Sequence, residues 1–586
     1  MARSINPKHF EWRRLFWTLL LVWTPAAASQ AHFDSELHQH PSQYLAMHAD
    51  DPVKWLLWQP SSLRQAQRYN KLILVSSGYF SCHWCHVMQQ EVYQNTQTAD
   101  QLNQRFISIK VDRELNPQLD QQMIAFAKTY RGAAGWPQHL ILTPQGLPLA
   151  AFTYLPNEGL QRLLTAVDKL WKENRPQLIA LAETAIPVKN QELIKWDIQK
   201  FKKALYQQLP EQIDDLSGGL AGSHKFPKTP LLLSLVQQTD LPSDLTEWLK
   251  LTLQKMQSEA LFDPVYGGFY RYTVDPEWQT PHFEKMLYDN AQLLELYLLA
   301  DLRWPNQGFA QTAEQTLAYL RTQLYSPTLK LYLGSQSAVD HEGREGGGYL
   351  FDREQLQQVL SEKNFNQLQK SPGFPTSPPF DLGYLPRSDW PNWRQIRPLL
   401  RKARSNPPMP VDSKAVFGWN GLMLQALVTA NRWQRQQTQR TQTPYLAQSA
   451  DYAQELTTAL LSYSRNLEIP RALNATPQGE PISAPATLAD LSYVWRGLQR
   501  WMRQEGIQLD LSTLRQAILA QAKDQGWQSS PNLLLYPQVD WVMAEDAEPS
   551  STAQLGCDFG PIQIDQNHFY TQALNYASYL TLARCR

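Results

Sequence analysis

Cysteine is scarce in this chain. Only Cys82, Cys85, Cys557 and Cys585 occur in 586 residues, which excludes a small disulfide-framework protein; hydrophobic cores must hold so long a chain together. An excess of charge of one sign is missing too. Lys plus Arg and Asp plus Glu both number 54, so the basic footprint of a general nucleic-acid binder is absent. After the first thirty residues no run is apolar enough to cross a bilayer. The composition, 43% hydrophobic and 18% charged, excludes a disordered chain.

What is present begins with a targeting pattern. Arg13 and Arg14 precede the apolar run Leu15 to Trp23, and small residues follow at Ala26, Ala27, Ala28 and Ala31. This reads as a cleaved signal peptide over 1–31, with the mature chain starting near Ser29 or His32; an uncleaved anchor is the alternative. A periplasmic or secreted location follows. The length calls for two or more domains, here an α/β domain over 32–190 and a mostly helical one over 191–586. The 20 tryptophans suit the gaps between packed helices better than a dedicated stacking surface.

In the first domain Lys71 to Ser77, Phe106 to Val111 and His139 to Thr143 read as strands, and Val87 to Gln104 has helical character. Alternation of strand and helix is α/β logic, with right-handed connections between parallel strands. The close pair Cys82-His83-Trp84-Cys85 follows the first of these strands and opens a helix. At a helix N-terminus, unpaired backbone N–H groups and the helix dipole stabilise a thiolate. Cys82 is therefore the candidate nucleophile and Cys85 the resolving thiol. A partly charged His83 would favour the thiolate further, and Trp84, His86 and Trp136 are supporting residues. Gly135-Trp136-Pro137 stands just before the third strand, where thioredoxin-like folds carry a cis-proline facing the cysteine pair. Pro137 joins the candidate catalytic set.

Other readings share these residues. Cys82-x-x-Cys85-His86 also matches the haem-attachment pattern, and His83 and His86 are nearby zinc donors without a second C-x-x-C. A plain structural disulfide is the third, although so small a loop constrains the unfolded chain little. The redox reading, with no cofactor and no metal, is the one adopted. Cys557 and Cys585 form a late staple or stay free.

From about Trp196 onward helical patterns dominate. Helices are expected at 243–259, 282–302, 308–324, 416–433, 447–465, 486–504, 510–523 and 569–583, and Phe283, Leu287, Leu294 and Leu298 mark a core stripe in the second. The proline-rich stretches 365–410 and 466–486 read as loops, and the domains should part near 185–195. About a dozen helices would suit a ring of helical hairpins.

Several motifs converge on a family. The stretches Asp51-Pro52-Val53-Lys54-Trp55, Tyr79 to Met88, Val111-Asp112-Arg113, Gly135-Trp136-Pro137 and Leu142 to Gly146 resemble the thioredoxin-domain proteins related to spermatogenesis-associated protein 20. In the second half His224-Lys225-Phe226-Pro227, Gly267 to Tyr272, Pro281 to Asn290 and Trp419 to Met423 extend the resemblance, which covers about residues 35 to 500. It implies a thioredoxin-like domain fused to an (α/α)6 toroid similar to that of N-acylglucosamine 2-epimerases and six-hairpin glycosidases, with no settled activity. Two functions stand side by side. One is a thiol–disulfide oxidoreductase acting on exported proteins or a redox partner through mixed disulfides. The other is a carbohydrate-active or carbohydrate-binding toroid with an ancillary thioredoxin-like domain. For the second, His224, His282, Glu284, Asp289, Asp412, Trp419 and Asp490 are expected near helix starts, converging on one cavity where paired carboxylates could act as acid and base.

Overall fold

The computed structural model describes residues 36–185, 193–195, 197–371, 374–404, 407–437, 443–475, 480–482, 484–523, 526–537, 539–540, 543–559, 563–565 and 569–584. The leader, Cys585 and much of the expected 185–195 boundary lie outside them.

The apolar runs of the first part form a five-stranded sheet. Its strands are β1 (Trp55–Leu57), β2 (Leu72–Gly78), β3 (Phe106–Asp112), β4 (Gln138–Leu142) and β5 (Pro148–Phe152), in the order β1-β3-β2-β4-β5. β1 and β2 flank β3 in parallel, whereas β4 and β5 run antiparallel, so the sheet is mixed. Every residue of β2 and β3 is buried, as expected of central strands covered on both faces. Helices α1 (Pro60–Tyr69), α2 (His83–Met88), α3 (Thr96–Arg105), α4 (Pro117–Arg131) and α5 (Asn157–Glu173) accompany it. α1 and α4 each start on a proline, whose missing N–H costs nothing there. The segment expected as one helix after Val87 is broken: a wide π-type turn over Gln89–Tyr93 separates α2 from α3, and Asn95 caps the latter.

The remainder is a double ring of helices. Among the described residues the inner layer is α7 (Thr229–Val236), α9 (Leu287–Arg303), α11 (Phe417–Gln436), α13 (Leu488–Glu505), α15 (Ser551–Leu555) and the terminal 3₁₀ segment Ala573–Arg584. Each packs on the next, and the terminal segment returns to α7 to close the circle. Outside them α6 (Ile198–Gln208) packs on the terminal segment, α8 (Ser243–Ser258) on α7, α10 (Phe309–Tyr319) on α9, α12 (Ser449–Tyr463) on α11 and α14 (Ser512–Ala520) on α13. This is the (α/α)6 arrangement. Inner helices are buried nearly all round: α11 has no exposed residue from Phe417 to Asn431. At Gly421 a β-carbon would come within 2.5 Å of the Val494 backbone nitrogen, so glycine sets the close approach of α11 to α13.

Two expectations are corrected. The helix placed at 282–302 starts only at Leu287, because Pro281–His282 pairs with Tyr272–Thr273 and Lys285–Met286 with Ser335–Gln336; those ladders take up the backbone groups a helix would need. The proline-rich stretch 365–410 is not all loop. Trp393–Arg404 is a helix despite Pro398 inside it, since burial of Ile396 and Leu400 outweighs the lost backbone hydrogen bond. Residues 35–586 pack as one compact unit. No described helix is long and apolar enough to cross a membrane.

Candidate functional site: a buried cysteine pair at the mouth of the ring

β2 ends at Gly78, and Tyr79, Phe80 and Ser81 carry the chain to Cys82, the N-cap of α2. The Cys82 sulfur accepts a hydrogen bond from the Cys85 backbone N–H at 3.2 Å. This is the donor that would stabilise a thiolate there. Cys82 and Cys85 are joined in a disulfide. Both are buried, at 4% and 1% exposure, so Cys82 is not the open nucleophile that a lone thioredoxin-like domain would present. The Trp136–Pro137 bond is cis. Cys557 is also disulfide-bonded; Cys585 lies outside the described residues.

The helical ring supplies the cover. In its 337–346 loop the Ala338 N–H donates to the Ser81 carbonyl at 3.3 Å, and Glu345 stands between two histidines, 3.4 Å from His83 Nε2 and 3.5 Å from His282 Nδ1. Burial, with His282 and His86 adding to it, pulls His83 down to about 4. It is therefore neutral near pH 7, which corrects the expectation of a partly charged histidine beside Cys82. His86 Nε2 donates to the Phe80 carbonyl, 2.8 Å away, and burial lowers its pKa too. Burial and the neighbouring Glu284 push Glu345 up to about 7. Trp84 alone of the motif faces solvent, its ring 5.1 Å from Tyr154.

On the other side of the disulfide lies a group that the motif gives no hint of. A β-carbon on Gly78 would lie 2.7 Å from Cys85 Sγ and closer still to Tyr44 Oη, so the tyrosine hydroxyl and the inner sulfur crowd the same space. Tyr44 is fully buried and its hydroxyl has no hydrogen-bond partner. Behind it Lys110 sits in an aromatic cage, its Nζ 4.4 Å from the ring of Tyr93, 4.8 Å from Trp55 and 5.3 Å from Tyr44. Lys110 donates to Ser76 Oγ at 3.2 Å. Burial pushes it down to about 7 against the pull of Asp51. A lysine inside the apolar run FISIKV was the available sequence signal for this cage; Tyr44 and Glu345 had none.

The seven residues expected to share one cavity are brought together only in part: His282 feels the charges of Glu284 and His224, and Asp289 that of Glu284. His282 stacks on Tyr272 at 4.9 Å, and His224 lies 6.3 Å from that same ring. Glu284 accepts from Tyr79 Oη at 3.0 Å and pairs with Arg271 at 3.3 Å. Asp412 belongs to a knot around Lys414, whose Nζ lies 3.1 Å from Asp112 and 3.1 Å from Glu114 and also pairs with Asp412. Asp490 is the N3 residue of the α13 capping box, holds Arg471 at 2.6 Å and accepts from Gly418 N–H. Trp419 packs on Tyr288 at 4.8 Å. Of the seven only Asp289 lines the cavity of about 240 Å³ between the two parts, alongside Trp136, Phe226 and Arg271. Burial and Glu284 lift Asp289 far above the usual carboxylate range against Arg271, and its Oδ2 has no partner. Tyr79, Asp112 and Glu114 come from the sheet, and Glu284, Lys414, Arg271 and Arg471 from the ring. Of the seven, Glu284 bonds the sheet domain directly through Tyr79 and Asp412 reaches it through Lys414, whereas the other contacts are made within the ring.

Residues 34–188 match the family model described as Thioredox_DsbH, protein of unknown function DUF255. Spermatogenesis-associated protein 20 of Homo sapiens is 29% identical over 463 residues, 68% of this chain and 58% of that protein. Its namesake of Rattus norvegicus is 32% identical over 354 residues, 56% of this chain and 45% of that protein. The chain thus matches about half of the length of these curated relatives. Among solved structures a D-mannose isomerase aligns with 66% of this chain and 84% of its own at 12% identity and a TM-score of 0.39. A family 76 glycoside hydrolase from a bovine Bacteroides thetaiotaomicron strain aligns with 66% of this chain and 64% of its own at 12% identity and a TM-score of 0.34. Over residues 34–188 the chain is therefore similar to the thioredoxin-like Thioredox_DsbH family, and over a longer stretch to spermatogenesis-associated protein 20.

Proposed function

We propose that the chain is a thiol–disulfide oxidoreductase working through Cys82 and Cys85. The observation that carries this reading is a two-residue-spaced disulfide seated at a strand-to-helix junction, with a backbone N–H on the outer sulfur and, on the side of Gly78 where the inner sulfur lies, a buried tyrosine hydroxyl without a partner. In the oxidising direction a substrate thiolate attacks Cys82 Sγ. The Cys82–Cys85 bond breaks, a mixed disulfide forms on Cys82, and Cys85 leaves as a thiolate. Burial holds Tyr44 well above its ordinary pKa, so its hydroxyl keeps its proton and donates to that thiolate. A second substrate thiolate then attacks the substrate sulfur of the mixed disulfide. Two thiols have become one disulfide, and two electrons now rest on the Cys82–Cys85 dithiol.

Burial of Cys82 under the 337–346 loop selects the substrate. A folded protein surface cannot reach a sulfur at 4% exposure; a small thiol or an extended cysteine-bearing segment can, and the cavity beside Trp136 offers room for the flanking atoms. We infer further that the chain is exported through its 1–31 leader, which would place the pair among exported proteins and redox partners. The test is trapping: Cys85→Ser in the full chain should accumulate a stable mixed disulfide on Cys82 with a cysteine-containing peptide. Failure of Cys85→Ser to form that adduct, while the same peptide disulfide reacts with an ordinary thiol, would remove the nucleophile assignment.

A further inference from the structure

The cavity of about 240 Å³ between sheet and ring holds two polar groups that the fold leaves bare. Asp289 and Thr229 both line it, at 4% and 2% exposure, and neither Asp289 Oδ2 nor Thr229 Oγ1 has a hydrogen-bond partner among the described residues. Buried polar atoms in this state cost stability. Two of them in the wall of one cavity mark a place where a ligand can satisfy both.

The buried charges of the same wall have partners. Lys228 pairs with Asp546 at 2.5 Å and Arg271 with Glu284 at 3.3 Å; Lys128, whose charge Asp546 also feels, is exposed and screened by water. Asp289 keeps its proton. Burial, with Glu284, Glu548 and Asp546 acting in the same direction against Arg271, holds its carboxyl far above the usual carboxylate range. A protonated carboxyl offers one O–H donor and one acceptor oxygen, and a threonine hydroxyl can accept as well as donate. The wall therefore suits an uncharged group that both donates and accepts. It also abuts the cysteine loop: Trp136, in the wall, lies 5.9 Å from the Tyr79 ring, and Arg271, also in the wall, donates to Tyr79 Oη, three residues before Cys82.

We propose that this cavity seats the side-chain amide of an asparagine or glutamine that stands close to the reacting cysteine of an extended substrate peptide. The proposal rests on the thiol–disulfide reading and adds to it which peptide is taken. The amide carbonyl accepts from the Asp289 O–H, one amide N–H donates to the other Asp289 oxygen, and the second amide N–H donates to Thr229 Oγ1. A glutamate in its place brings a charge into a wall whose buried cations already have carboxylates. A methionine of similar length leaves both polar groups bare. The volume falls below that of drug-sized pockets, which suits a single side chain.

Single-turnover reduction of the oxidised full chain by peptide thiols tests it. Each peptide carries one cysteine in an alanine background, with glutamine, glutamate, methionine or alanine at one of the three positions on either side, and its rate is normalised to its reaction with oxidised glutathione. At one position glutamine should lower the half-saturating peptide concentration at least tenfold against the other three residues, with the maximal rate little changed. The ratio of alanine to glutamine half-saturation should fall to near one in Asp289→Leu, persist in Asp289→Asn, which keeps a donor and an acceptor, and shrink severalfold in Thr229→Val; a ratio is insensitive to general damage. No glutamine preference at any position while the alanine peptide reacts, a preference for glutamate, or a glutamine preference kept by Asp289→Leu overturns the proposal and leaves the redox reading standing. Failure of every peptide to reduce the pair, while each reacts with oxidised glutathione, removes the redox reading and the proposal with it.

Discussion

The two ends of the helical ring handle buried charge in opposite ways. At the mouth, where α9, α11 and α13 begin, cations meet carboxylates from the sheet or from neighbouring ring strands: Lys414 with Asp112, Glu114 and Asp412, Arg471 with Asp490, Arg271 with Glu284. At the far end Arg500 pairs with Glu295, and Arg496 feels the like charges of Arg500 and Arg503 as well as the carboxylate of Asp558. A paired, fully buried cluster is a joint, because breaking it strands charge in a low-dielectric setting. At the far end like charges crowd instead, and burial with that repulsion lowers the Arg496 pKa.

The largest effect should come from breaking the joint. Lys414→Met leaves three buried carboxylates without their cation, which costs about 3–5 kcal/mol on the scale of broken buried pairs. Scanning calorimetry should show a lowered melting temperature. A change of under a degree would mean that the knot contributes nothing to holding sheet and ring together.

A smaller effect sharpens the contrast within the cysteine site itself, between the outer sulfur served by a backbone N–H and the inner one, to which the unpartnered Tyr44 hydroxyl is proposed to donate once the disulfide opens. A hydrogen bond to a charged group is worth about 1.5–3 kcal/mol, so Tyr44→Phe should slow release of the resolving thiolate by roughly tenfold or more. It should also raise the Cys85 thiol pKa in the reduced protein. Alkylation rate against pH, read separately for Cys82 and Cys85 by mass spectrometry, separates this from a packing defect: a packing defect moves both cysteines together, whereas loss of the donor moves Cys85 alone.

Local patterns told much of this in advance. The cysteine pair, its strand and the helix it opens are contiguous in sequence, and the ring helices announce themselves through apolar residues on every face. Non-local closures stayed hidden. Tyr44 comes up against Gly78, beside the inner sulfur, Glu345 reaches His83 from a loop of the ring, and Lys414 finds Asp112 across the joint; no periodicity encodes such meetings. His282 and Glu284 were misplaced for a related reason, since the backbone before Leu287 is claimed by strands distant in sequence. Pro398 misled because tertiary burial of Ile396 and Leu400 overrode a local rule.

The central claim is that the disulfide at the plugged mouth exchanges electrons while the protein stays folded. Equilibrating the full chain across ratios of reduced to oxidised dithiothreitol, then alkylating and weighing the Cys82–Cys85 peptide, measures this directly. The account predicts a reversible two-electron titration completed with far-ultraviolet circular dichroism unchanged. A pair that stays oxidised until the fold melts would contradict it and leave Cys82–Cys85 a structural staple.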